Sequence, residues 1–191
     1  TLFVCAASGG LWRTSDLGST WECVTDGLDI DATSVLRFDP GNEDKLYLAT
    51  GDRFGGNGSS YGVYISEDGG DTWSATDLNQ ALVGGRIYEM VTHPTNSGHV
   101  YAAASLGLFE TTDGGVTWER IQFRTINDIE FKPGDPGVMY FVSATRLLKS
   151  TDGGQTVVQL SSGLPTHDDM GRTLIATTPA APDYIYYCFS V

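Results

Sequence analysis

The stretch SEDGGDTW, Ser66–Trp73, decides how this chain is read. It returns as TSDLGSTW at Thr14–Trp21, as TTDGGVTW at Thr111–Trp118 and, with its last residue changed, as STDGGQTV at Ser150–Val157. The aspartates of the four copies, Asp16, Asp68, Asp113 and Asp152, stand 52, 45 and 39 residues apart. Repeats of this length point to the blades of a propeller or a similar array. Inside each octet the glycines supply the positive φ that a tight reversal needs, and the aspartate can accept hydrogen bonds from N–H groups of its own turn. In the first copy Leu17 replaces the first glycine, so that turn is expected to use Gly18 alone. The tryptophans Trp21, Trp73 and Trp118 offer large apolar faces for packing beside a neighbouring blade.

The sequence between the octets repeats as well. One apolar run precedes each octet directly: GGLWR, GVYI, GLFE and RLLK. Another lies before it: LFVCAAS, KLYLATG, HVYAAAS and VMYFVSA, with a fifth copy, YIYYCFS, near the C-terminus. Still further upstream, SVLRFDP, IYEMVTHP, NDIEFKP and TLIATTP end at Pro40, Pro94, Pro133 and Pro179. Short β-branched and aromatic runs bounded by Gly, Pro, Asn and Asp are strand signals, and no segment sustains a helical period. The expectation is an all-β chain, a β-propeller of four-stranded antiparallel blades forming one domain over residues 1–191. Lettering the strands of a repeat A to D, the chain reads B-C-D, three full sets, then A-B. That makes about four blades and a surplus strand, a partial ring of a larger propeller or one completed by a second chain.

Charge excludes some partners. Twenty-four acidic residues against eleven Lys and Arg give a net charge of −13, the wrong sign for a nucleic-acid backbone or an anionic membrane surface. No run of 18 apolar residues is present to cross a bilayer. The chain opens on Thr1 rather than Met, so a leader or a larger upstream part is expected to have been removed. Cys5, Cys23 and Cys188 form no close pair, resemble neither a disulfide framework nor a zinc site, and are expected to be small buried residues.

The pattern S/T-x-D-x-G-x-T-W resembles the Asp-box, or BNR repeat, with three full copies and a fourth in which Val157 stands for the tryptophan. Proteins with such boxes include sialidases, xyloglucan-degrading hydrolases, sortilin-type receptors and photosystem II assembly factors. The resemblance implies a propeller in which the box residues Asp16, Asp68, Asp113 and Asp152 are structural and lie away from any active site; a glycan or calcium site at each turn is the alternative. Ligands would then be sought on the opposite face, where the B-to-C and D-to-A connections emerge.

Candidate residues on that face follow from the loops. GDRFGGNGSSY, 51–61, is the longest B-to-C connection and brings Asp52, Arg53 and Tyr61 together; it is either functional or a glycine-rich insertion whose Asp and Arg pair locally. The D-to-A connections contribute Arg86, Arg124 and Asp128, and then His167, Asp168 and Arg172. His167 beside Asp168 and Asp169 is an acid/base pair or a polar surface loop. Asp26, Asp29 and Asp31 are the one candidate calcium set, but they lack the glycine and terminal glutamate of an EF-hand loop, so no cofactor or metal is expected.

The favoured function is a secreted propeller, extracellular or periplasmic, that binds a carbohydrate or a protein through this face. The alternative is part of a glycoside hydrolase, with Asp52 and either Asp128 or Asp168 as the carboxylate pair. Sialidases carry an Arg-Ile-Pro segment that is missing here, GRIYE being the nearest string. Xyloglucan hydrolases place their cleft between two whole propellers, more than 191 residues can build. A purely architectural blade segment is the third reading.

Overall fold

The computed structural model describes residues 1–54, 59–164 and 172–190. His167, Asp168 and Asp169 lie outside the described residues. Among the described residues every strand lies in one of five antiparallel sheets. The first holds β1 (Leu2–Cys5), β2 (Leu11–Thr14) and β3 (Glu22–Cys23). The second holds β4 (Thr33–Asp39), β5 (Asn42–Thr50), β6 (Gly62–Ser66) and β7 (Ser74–Asn79). β8 (Ile87–Thr92), β9 (Val100–Ala104), β10 (Leu108–Thr111) and β11 (Glu119–Gln122) make the third. The fourth is β12 (Asp128–Lys132), β13 (Asp135–Ser143), β14 (Arg146–Ser150) and β15 (Val158–Leu160), and β16 (Thr173–Thr177) with β17 (Ile185–Phe189) makes the fifth. This is the B-C-D, three A-B-C-D, A-B series expected from the sequence. One helical turn, α1 (Gln80–Val83), was not expected; Asn79 caps it and Gly84 ends it in the left-handed region.

Adjacent sheets stack on their innermost strands, β4 against β8, β8 against β12 and β12 against β16, as blades around one axis do. The core is therefore not a single layer but a series of inter-blade seams. Tyr47, Ala49 and Val63 meet Met90, Ala102 and Phe109 across one; Tyr101, Leu108 and Ala103 meet Ile129 and Phe141 across the next. A middle strand is thus buried on both faces, which is why β9 (VYAAA) is apolar throughout rather than alternating.

The octets sit at the hairpins between the third and fourth strands of each sheet. Asp68 accepts from Thr72 N and Thr72 Oγ1 at 2.9 and 2.6 Å and from Ser66 Oγ at 2.7 Å, while Gly70 N donates to Ser66 Oγ at 2.8 Å. The same bonds recur around Asp16, Asp113 and Asp152. Donation from Thr72 and Thr117 holds the Asp68 and Asp113 carboxyls down at about 2, and Asp16, bonded first by the Thr20 N–H, is held as low. The second glycine of the octet is needed twice over: Gly115 has φ +89°, and a Cβ there would run into Ile65 of the preceding blade.

Two expectations are corrected. Leu17 does not leave the first turn to Gly18; it adopts φ +60° itself, because the Asp16–Thr20 and Thr14–Gly18 bonds impose the same turn on whatever residue stands there. The cysteines are not small core residues either. Cys5 and Cys23 are half-buried and Cys188 is exposed, since β1 and β17 belong to the incomplete first and last sheets. The tryptophans pack toward the preceding blade, Trp73 on the seam of sheets one and two and Trp118 on that of two and three, with Val157 in the same place one seam further on. Trp21 has no preceding blade in this chain and is 40% exposed.

Candidate functional site

The B-to-C and D-to-A connections meet on the face opposite the octets. At the mouth of the axis the residue just before an innermost strand offers its carbonyl to the residue just past the second strand. Gly51 N donates to Ala32 O at 2.7 Å, Ser105 N to Arg86 O at 3.0 Å and Ser190 N to Arg172 O at 3.0 Å. Arg86 and Arg172 thus hold equivalent positions two blades apart. In the blade between them the Asn127 side chain takes over, its Oδ1 accepting from Ala144 N at 2.8 Å.

These residues enclose a cavity of about 290 Å³ lined by Arg53, Arg86 and Arg172 with Phe54, Tyr88 and Leu174. Three of the chain's eleven basic residues therefore share one pocket. The Arg172 guanidinium carbon lies 4.0 Å from the Phe54 ring centroid and that of Arg53 5.1 Å. Arg53 Nη1 also pairs with Glu89 Oε2 at 3.3 Å, and Arg37 Nη2 holds Glu89 Oε1 at 2.7 Å. The long insertion is therefore tied to the next blade through Arg53–Glu89.

Of the other candidates, Asp52 Oδ1 accepts from Phe54 N at 2.8 Å, which helps shape the loop that presents Arg53. Tyr61 is 42% exposed and its N–H is bound by Thr50 Oγ1, outside the pocket lining. Arg124 is exposed and also outside it. Asp128 is not a loop residue but the first of β12, 4% exposed, accepting from Ile129 N at 3.0 Å and Ile175 N at 2.8 Å. Its Oδ2 joins the fourth sheet to the fifth, while Oδ1 is held by the next residue of its own strand. Burial pushes the Asp128 carboxyl up to about 6 and that of Glu130, on the same strand, to about 7. Asp26, Asp29 and Asp31 are exposed, and among the described residues no three His, Cys, Asp or Glu side chains come close enough to hold a metal ion.

Sequence reasoning missed Phe54, Tyr88, Asn127 and Glu89. Asn127 precedes β12 and Tyr88 is the second residue of β8, so aligning those strands across the repeats would have placed both at the channel mouth. Phe54 lay inside a segment already singled out.

Fold and site together define a segment of a β-propeller with a basic, aromatic pocket on its loop face. No protein-family model matches the chain. It is similar to a xyloglucanase of Hypocrea jecorina, 34% identical over 128 residues, 59% of this chain and 15% of that one. A xyloglucanase of Paenibacillus is 28% identical over 174 residues, 81% of this chain and 16% of the other. The chain thus spans about 15% of the length of these curated relatives. Among solved structures, an ancestral GH74 enzyme superposes with a TM-score of 0.79 at 18% identity, covering 98% of this chain and 25% of that one. YCF48 bound to D1 peptide gives 0.63 at 19% identity, over 93% of this chain and 54% of the other. These likenesses show the propeller fold, and the sequence matches show a relationship to propeller glycoside hydrolases.

Proposed function

We propose that this chain is a blade segment of a secreted propeller glycoside hydrolase of the xyloglucanase kind, and that its loop face carries part of the glycan-binding surface. The observation that carries the reading is the 34% identity to a xyloglucanase over 128 residues. It moves the balance from the stand-alone binding module that the sequence favoured to the hydrolase alternative. The Asp-box assignment of the four octets supports it, since that pattern occurs in xyloglucan-degrading enzymes and leaves the opposite face free. Further blades of a longer protein would complete the ring beyond β1 and β17. Hydrolysis needs two carboxylates flanking the scissile bond. Asp128 is committed to backbone N–H groups, so this segment contributes glycan contacts and the acid–base pair is completed by residues outside 1–191 or outside the described ones.

Affinity electrophoresis tests this. The chain is expected to migrate more slowly through a gel containing xyloglucan than through a plain gel, without releasing reducing ends. Unchanged mobility in xyloglucan would contradict the proposal.

A further inference from the structure

On the octet face, each turn from an innermost strand to its neighbour opens on a residue followed by proline: Asp39, His93, Lys132 and Thr178. Three of the four cap their own turn by accepting a hydrogen bond. Asp39 Oδ1 accepts from Gly41 N at 2.9 Å and Thr178 Oγ1 from Ala180 N at 3.3 Å. In the third sheet a histidine fills this role, its Nδ1 accepting from Asn96 N at 3.1 Å and from Thr95 N at 3.3 Å. An imidazole nitrogen that accepts carries no proton, so His93 is neutral here with its hydrogen on Nε2. Of the three caps, this one is made by a side chain that ordinarily titrates near neutrality.

The turn that His93 shapes fastens one blade to the next. Ser97 Oγ and Gly98 N donate to the two oxygens of Asp39 in the second sheet, each at 2.6 Å, and Gly98 O accepts from Gly114 N of the third sheet's own octet at 2.9 Å. Toward the fourth sheet the His93 ring meets Phe131 edge-on at 5.5 Å, and Lys132 beside Phe131 is paired with Asp183 at 2.8 Å. From β9, His99 stacks on His93 at 5.1 Å with Tyr101 behind it, and from β10 Glu110 Oε1 lies 2.7 Å from His99 Nε2. Glu110 is thus engaged by His99, and no ion pair among the described residues involves His93. Burial first, and then the charge of His99, hold His93 below its usual value. We propose that His93 is a pH-sensitive latch between the second and third blades: a proton on Nδ1 removes the acceptor, releases the turn 94–98 and loosens its hold on Asp39, while the apolar seam stays packed. This device is independent of any glycan on the opposite face.

The test is amide hydrogen exchange of the chain at about pH 8 and about pH 4.5, each rate divided by the intrinsic rate at that pH. Over this range Asp39 and the octet aspartates, all held low, stay ionised. The stability that His93 contributes is present above 6.5 and is lost as pH falls through its lowered value, whereas Asp128 and Glu130, with raised values, act in the opposite sense. The turn's own amides are therefore read, not the melting temperature. Protection at Thr95, Asn96 and Gly98 is expected to fall about tenfold or more at the lower pH, with the octet amides of Thr72 and Thr117 unchanged. His93→Asn, which supplies an acceptor that does not titrate, should keep that protection at both pH values, His93→Ala should lack it at both, and His99→Gln should leave the pH response in place. Equal protection at the two pH values in the unaltered chain, or protection kept in His93→Ala, overturns the proposal. A response that persists in His93→Asn or disappears in His99→Gln overturns the assignment to His93. An equal fall at Thr72 and Thr117 overturns a release confined to this turn.

Discussion

Asp113 shows how much one residue decides. Its two oxygens bind the N–H and hydroxyl of Thr117 at 2.9 and 2.6 Å and so close the hairpin that delivers Trp118 to the preceding blade. That chemistry was legible in the sequence, because an aspartate four residues before a threonine, with glycines between, has few other uses. The conformation of Leu17 was not: propensity argues against a left-handed leucine, and the surrounding bonds override it. Leu17→Gly should therefore stabilise the protein by about 1 kcal/mol in urea unfolding, since Leu17 is 92% exposed and gives up almost no packing. A neutral or destabilising result would mean that the turn relaxes without cost.

At the scale of the element, each blade is held by what it presents to the next. Trp118 is partly buried against the second and third sheets, and Trp118→Ala should cost about 3 kcal/mol, whereas Trp21→Ala, at a site with no preceding blade, should cost less than about 1. Equal losses from chemical denaturation would contradict blade-to-blade packing. The innermost strands add a pH dependence. Asp128 and Glu130 titrate near 6 and 7, above their ordinary values of 3.8 and 4.5, so the stability they contribute is full below those values and is lost as pH rises through 6 to 7. The octet aspartates, held near 2, act in the opposite sense: their contribution is present above 3.8 and is lost as pH falls toward 2. The melting temperature should therefore be highest near pH 4 to 5 and fall until about pH 7, and Glu130→Gln should lessen that decline. A profile still rising at pH 8 would contradict this. Strand order was legible because strand period and proline punctuation agree in every repeat. The pairing of Glu89 with Arg37 and Arg53 was not, since it joins three separate segments that only the stacking of the second and third sheets brings together.

Across the whole molecule, the sequence located the loop face opposite the octets but not the pocket on it. Arg53, Arg86 and Arg172 were visible as loop residues, and which of the loop charges converge is set by the blade angle and by the tilt of each connection. Arg124 occupies a comparable connection and stays outside the pocket lining. The octets and the pocket lie at opposite ends of the same strands, so a ligand at one should leave the other undisturbed. Amide chemical-shift mapping of the labelled chain during titration with a xyloglucan oligosaccharide tests this most directly. The account predicts perturbations at residues 53–54, 86–88 and 172–174 with the four octets unmoved; shifts concentrated at Asp16, Asp68, Asp113 and Asp152, or none anywhere, would contradict it.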